Sequence, residues 1–163
     1  MFDTAIAHVL AWEGGYNDDP DDPGGETNYG ISKRSYPDVD IKLLTLDDAK
    51  TIYKRDYWVP AGCEQITDTP LAQFHFDTAV NLGVRRANRM LQIAVGVPRV
   101  DGIYGPTTAA CVDVAVFQGC DVIGVYALDR IHHYTHLALS DPKRSEYLLG
   151  WLRRTLAGLG RMV

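Results

Sequence analysis

The stretch AWEGGYNDDPDDPGGETNYGI, residues 11–31, sets one glutamate and four aspartates among four glycines and two prolines before the next glutamate, Glu26. Pro20, Pro23 and the pair Gly24 and Gly25 forbid a continuous helix here, so residues 16–31 read as a loop or small hairpin. What flanks it reads as helix. Upstream, Ile6, Val9, Leu10 and Glu13 fall at i, i+3, i+4 and i+7, one stripe of a helix over residues 3–13 that Asp3 or Thr4 caps and Gly14 with Gly15 stops. Downstream, TLDD (residues 45–48) fits a capping box, and the helix it starts places Ala49, Ile52 and Tyr53 on one face before Pro60 ends the DYWVP segment. TPLAQFHFDTAVNLG puts Pro70 in a first turn and Gly83 at a stop. Further helices are expected over 84–94, after the Gly-rich turn that precedes Pro106, over 121–139 and over 143–157, the last two separated by SDP. The fold class is mainly α.

The chain has 163 residues, of which 46% are hydrophobic and 23% charged, enough for one substantial core. No run approaches the roughly 18 apolar residues that span a bilayer. The start, MFDTAIAHVLAWEGG, lacks the basic segment and small-residue cleavage site of a secretory signal, so synthesis in the cytoplasm without a signal peptide is expected. Cys63, Cys111 and Cys120 show no CxxC spacing and are expected as buried free thiols. The net charge of -5 conceals an asymmetry: residues 1–83 carry 15 acids against 6 bases, residues 84–163 carry 6 against 10. The basic half suits an anionic polymer or a membrane surface, or is an ordinary solvated face. Nucleic acid is a poor candidate, because the bases are scattered along helices with no recognised binding motif.

Three uses of the acidic loop compete. An EF-hand counted from Asp19 has Gly24 at its sixth position, but Pro23 at the fifth and Gly30 at the twelfth, so the motif fails. A solvated loop accounts for Asp18 and Asp19 but not for Glu13. A glutamate level with an apolar stripe is costly unless it is paired or protonated, and the negative end of a helix dipole pushes its pKa upward. Such a residue either bonds a core arginine or backbone N–H, or serves as a general acid. A second carboxylate nine residues on, across a turn, completes the pair a glycoside hydrolase uses.

The motif EGGYNDDPDDPGGETNYGIS resembles the signature of the N-acetylmuramidases of glycoside hydrolase family 108, whose members include phage endolysins. The similarity continues through AKTIYKRDYW and FDTAVNLG. LQIAVGVPRVDGIYGPTTAA and SEYLLGWLRR resemble the peptidoglycan-binding-like region that accompanies the family. The resemblance implies a lysozyme-like helical fold, with a catalytic region over residues 1–88 and a peptidoglycan-binding-like helical region over 89–163, packed as one unit. It implies cleavage of the β-1,4 bond between MurNAc and GlcNAc in peptidoglycan, a monomer, no cofactor, and action on the periplasmic wall after release from the cytoplasm. The catalytic glutamate of the EGGY motif falls on Glu13. The order Glu, Asp, Thr of phage lysozymes assigns Asp22 and Thr27, although Asp18, Asp19 and Asp21 are alternative partners for the acid. Carboxylates roughly 6.5–9.5 Å apart would leave room for an attacking water and inversion, whereas about 5 Å would indicate a covalent intermediate. Tyr16 and Tyr29 flank the loop and Asn81 lies in VNLG; the tyrosines are expected either to stack on sugar faces and Asn81 to bond an N-acetyl group, or all three to satisfy core hydrogen bonds.

Rival readings rest on other residues. His132 and His136 in HHYTH stand at i, i+4, the separation with which a zinc amidase holds its metal, but His133 occupies the place of the HExxH glutamate and no third ligand presents itself. A lytic transglycosylase needs one glutamate and no water-activating partner, and a non-catalytic wall binder needs neither. The ending GWLRRTLAGLGRMV is basic and amphipathic, either a docking helix or a weak contact with anionic membrane.

Overall fold

The computed structural model describes residues 1–18 and 25–160. Among these residues lie seven α-helices and one two-stranded sheet: α1 (Phe2–Trp12), β1 (Thr27–Asn28), β2 (Ile31–Ser32), α2 (Leu46–Tyr53), α3 (Thr69–Leu82), α4 (Val84–Ala94), α5 (Pro106–Phe117), α6 (Val122–Ser140) and α7 (Leu148–Leu159). The fold is mainly α and lysozyme-like, with a hairpin where the Gly- and Pro-rich stretch forbids helix.

The centre is α3. Leu71, Ala72, Phe74, His75, Phe76, Asp77, Thr78 and Ala79 are all buried, so this helix has neighbours on every side, among them α1, α4, α6 and α7. Its start is set locally: the Asp68 carboxylate accepts from the Leu71 N–H at 2.8 Å, and Pro70 occupies the first turn. Gly83, at φ +85, both ends α3 and begins α4. The Phe76 ring meets Phe2 and Trp58 edge-on, with centroids 5.8 and 5.2 Å away, which fastens α1 and the end of the α2 segment to the central helix. Trp58 is buried, as its place in DYWVP suggests.

Two polar seams cross this core. His75 sits with Nδ1 2.8 Å from the Tyr126 hydroxyl of α6 and Nε2 3.0 Å from the Ala61 carbonyl oxygen and 3.1 Å from the Asn88 Oδ1 of α4. Asn88 in turn donates to the Gly102 carbonyl, and Gln92 donates to Asp101 and Thr108 while accepting from the Gly102 N–H, so α4 carries the turn before α5. The hairpin has its own anchor: Asn28 is buried and donates to the carbonyls of Ile41 and Leu44.

Several expectations shift. The capping box is present as read, with Thr45 and Asp48 bonded reciprocally. Neither Asp3 nor Thr4 caps α1, whose N-cap is Met1 without a side-chain bond. Glu13 lies just beyond the last turn of α1, at φ -83 and ψ 139, because the chain leaves the helix there in extended form toward Gly14. A π-helical turn over Lys54–Trp58 prolongs the α2 segment. The expected helix over 143–157 divides: Pro142–Tyr147 is a 3₁₀ turn capped by Asp141, and α7 starts only at Leu148. Of the cysteines, Cys63 is buried and burial pushes its thiol pKa up, but Cys111 is half-buried and Cys120 is exposed.

His75 gives the fold a pH dependence. Burial lowers its pKa from 6.5 to about 4, so between those values the unfolded chain binds a proton that the folded one refuses. This stabilisation is complete above pH 6.5 and is lost as the pH falls toward 4, in total about 3 kcal/mol at 1.36 kcal/mol per unit. Denaturant unfolding measured from pH 7 to 4 should show the decline in the wild type and a shallower one in His75→Gln.

Candidate active site

Glu13 is held between the two ends of the chain. Its Oε1 accepts from Nη1 of Arg154 on α7 at 3.0 Å, and Arg154 Nε donates to Asp77 on α3 at 2.8 Å. The other oxygen of Asp77 accepts from Nη1 of Arg130 on α6 at 2.7 Å, and Arg130 also donates to Thr78 and to the Tyr134 hydroxyl. Glu13, Arg154, Asp77 and Arg130 therefore alternate in sign along one chain of contacts. The side chains of Arg130 and Asp77 are 0% and 3% exposed, and Arg154 and Glu13 are 9% and 22%, so the chain runs from the core out to solvent and Glu13 is its wet end.

Electrostatics follow the geometry. Burial opposes ionisation of Asp77, yet the charges and hydrogen bonds of Arg130 and Arg154 hold its carboxyl below the usual carboxylate range. Burial likewise works against the charge on Arg154, but the carboxylates of Asp77 and Glu13 hold its pKa above the ordinary arginine value. The Tyr53 hydroxyl is pushed up by burial first and by the Glu13 charge second.

The hairpin turn closes the other side of Glu13. The Tyr53 hydroxyl donates to the Tyr29 carbonyl at 2.9 Å, and Tyr29 itself has φ 51, a left-handed conformation that a side chain tolerates at some cost. Gly30 follows at φ +76, and a Cβ built there would lie 2.8 Å from Oε2 of Glu13, 2.9 Å from its Cγ and 2.5 Å from the Tyr53 hydroxyl. Only a glycine lets the turn lie flat on the carboxylate. With Oε1 engaged by Arg154, Oε2 has no hydrogen bond among the described residues. Glu13 lines a cleft of about 520 Å³ bounded by one face of α1, Tyr29, and Leu46 and Lys50 of α2.

Of the residues singled out in the sequence, the structure brings Glu13 and Tyr29 to this cleft. Tyr16 is exposed and donates to Glu26 at 2.8 Å, a bond that pushes its pKa up to about 12. The backbone of Thr27 pairs with Asn17 and Ser32, which ties the end of the acidic stretch to the hairpin. Asn81 does not line the cleft; its Oδ1 accepts from the Tyr134 hydroxyl, beside Arg130. Asp22, with Asp19 and Asp21, lies outside the described residues. His133 receives an N–H from Arg86 at 3.0 Å, while His132 and His136 are exposed, and no three His, Cys, Asp or Glu side chains gather at metal-ligating spacing among the described residues.

Arg154, Asp77 and Gly30 were not singled out in the sequence. Asp77 had a signal: a carboxylate at the middle of an otherwise apolar helical segment requires a cationic partner. Arg154 had none beyond its charge, because GWLRR reads as one amphipathic face on which either arginine can point outward.

The comparisons with known proteins agree with this architecture. The sequence model described as Glycosyl hydrolase 108 matches residues 6–83, and that described as Predicted Peptidoglycan domain matches residues 84–156. The solved structure of Brucella abortus SagA is 30% identical, superposes with a TM-score of 0.73, and is matched over 96% of this chain and 94% of that one. The chain belongs to glycosyl hydrolase family 108. No curated protein matches it. The family 108 chain is thus a glycoside hydrolase whose second region is a peptidoglycan domain, and its substrate is peptidoglycan. Glu13, Asp77 and Gly30 lie in the hydrolase match and Arg154 in the peptidoglycan-domain match, so the carboxylate of one is fixed by the guanidinium of the other.

Two substitutions test this geometry. Asp77→Ala leaves Arg130 and half of Arg154 buried without a counter-charge and should cost about 3–5 kcal/mol in denaturant unfolding. Gly30→Ala should lower kcat on peptidoglycan about a hundredfold by displacing the Glu13 carboxylate. The comparison is Gly119→Ala, at a similar φ of +68 but with open space around its Cβ, which should show the backbone strain in its melting curve and keep its activity.

Proposed function

We propose that the protein is an N-acetylmuramidase that hydrolyses the β-1,4 bond between MurNAc and GlcNAc, with Glu13 as the general acid. The observation that carries this reading is the setting of the Glu13 carboxylate at the cleft: Oε1 is fixed by Arg154, while Oε2 lies against Gly30 without a hydrogen-bond partner among the described residues. A fixed carboxyl with one free oxygen is what proton delivery to a glycosidic oxygen requires, and positioning of this kind contributes about 10²–10⁴-fold. Arg154 acts here as a positioning residue. Because its charge is shared with Asp77, it orients Glu13 without being dedicated to it.

The inverting route assigns the remaining roles. Asp22 activates water on the opposite face of the sugar, Thr27 helps hold that water, and Tyr29, at the cleft wall, stacks on a sugar ring beside Tyr16. The family resemblance supports these assignments, and the position of Tyr29 supports its own. The same resemblance supports a phage or prophage endolysin, made in the host cytoplasm and acting on the wall once the membrane is breached.

Mass spectrometry of fragments released from purified peptidoglycan separates the chemistries. The expected products are muropeptides with intact reducing MurNAc ends, reduced at least about a hundredfold in Glu13→Gln and unchanged by EDTA. Anhydro ends, together with activity retained in Asp22→Asn, would place the protein among lytic transglycosylases. Free peptides with uncut glycan, abolished by EDTA, would transfer the chemistry to His132 and His136. For the endolysin role, turbidity of a cell suspension should fall on expression only after the inner membrane is permeabilised.

A further inference from the structure

A second concave surface lies on the outer face of α4. Arg85, Arg86 and Arg89 border an open groove of about 690 Å³ whose apolar wall is Leu82, Met90 and Ile93. It shares no lining residue with the Glu13 cleft. All three arginines are exposed, and among the described residues none of them forms an ion pair with a carboxylate. This contrasts with Arg55, Arg130, Arg144 and Arg154, each of which has an acidic partner. Arg86 donates to the His133 ring, which orients it from α6.

The other two are oriented by packing. Gly102 has φ +81, and a Cβ there would lie 2.7 Å from the Cγ of Arg85 and 3.0 Å from the Cγ of Arg89. The turn presses on both arginine stems, and Gln92 and Asn88 hold that turn in place from the same helix. Two guanidiniums with fixed stems beside a third fixed by a histidine form a preorganised cationic rim, suited to carboxylates because each can offer paired N–H donors.

The charge selects one part of the wall polymer. In stem-bearing glycan the lactyl carboxyl of MurNAc is consumed in an amide bond, so the sugars are neutral and the anionic groups are the free carboxylates of the peptide. The apolar wall suits the methyl and alkyl side chains that lie between them. We propose that the groove between Leu82 and Ile93 binds the peptide stem of peptidoglycan through its carboxylates. The proposal rests on peptidoglycan being the substrate and gives the second region a role apart from fixing Glu13.

Isothermal titration calorimetry on the full chain tests it, with a synthetic stem tetrapeptide (Ala, γ-linked Glu, diaminopimelate, Ala), the same peptide with every carboxyl amidated, and inorganic phosphate. The variants Arg85→Gln and Arg89→Gln, singly and together, keep part of each aliphatic stem, and their thermal melts report whether the fold is retained. The free-acid peptide should bind the wild type, each single variant should weaken it about tenfold, and the amidated peptide should bind far more weakly. Equal binding of the amidated peptide, unchanged affinity in a folded double variant, or no binding at all overturns the proposal. Tighter binding of inorganic phosphate than of the peptide overturns it in favour of a phosphate-bearing wall polymer. Digestion of whole peptidoglycan by the same wild-type preparation keeps the two readings apart: digestion without peptide binding removes only the groove, and peptide binding without digestion removes the muramidase and leaves the groove.

Discussion

The structure depends on four charges placed in alternation. Taking a carboxylate or guanidinium out of water costs several kcal/mol, and the cost is offset only when the opposite charge is in contact and the remaining donors are bonded. Arg130, with none of its side chain exposed, meets the first condition through Asp77 and most of the second through Thr78 and Tyr134, leaving its Nη2 without a hydrogen-bond partner among the described residues. Asp77 is answered on both oxygens. Arg154 connects that interior pair to Glu13, so the position of the Glu13 carboxylate is set by the packing of α3, α6 and α7, at some distance along the chain from the loop that contains it. An apolar cluster of the same volume would hold the helices as well, but would not fix a carboxylate at the edge of a cleft.

The seam around His75 is the neutral counterpart of this arrangement. It joins α3 to α4 and α6 through hydrogen bonds with no net charge, and its preference for the neutral ring makes the core of the protein a poor host for protons. Together the two seams explain why the central helix carries His75, Asp77 and Thr78 in succession among large apolar residues. His75 bonds α4 and α6, Asp77 bonds α6 and α7, and Thr78 shares Arg130 with Asp77, so much of the contact between the first and second regions runs through α3.

Much of the fold was legible because its signals are local. Capping by Thr45 and Asp48, the stop at Gly83 and the start at Pro106 are fixed within a turn of sequence, and the helices over 84–94 and after Pro106 lie where spacing puts them. The division after Asp141 was missed because a Pro followed by polar residues suits the first turn of an α-helix as well as a 3₁₀ turn. At the site, Glu13 was legible as a carboxylate in the wrong company: the structure gives it the core arginine that one reading required, and sets it at a cleft. Its partner was not legible, since Arg154 lies 141 positions away and its inward turn depends on how α7 docks. Gly30 was one glycine among many until the approach of the Glu13 carboxylate gave it a reason. Asn81 reads in sequence as a polar residue near a helix end, whereas the Tyr134 contact draws its carbonyl oxygen toward the buried arginine.

Proteins that act on cell walls are often regarded as assemblies of interchangeable cassettes, one to cut and one to hold. The contact from Arg154 to Glu13 limits that view for this chain. Replacing the peptidoglycan domain with an unrelated targeting module would leave Asp77 without either of its cations and Glu13 without its arginine, so recombination at residue 83 would break every ion pair that joins the two segments here. The two family segments are therefore one heritable unit, and a functional exchange has to carry α6 and α7 along with whatever it replaces.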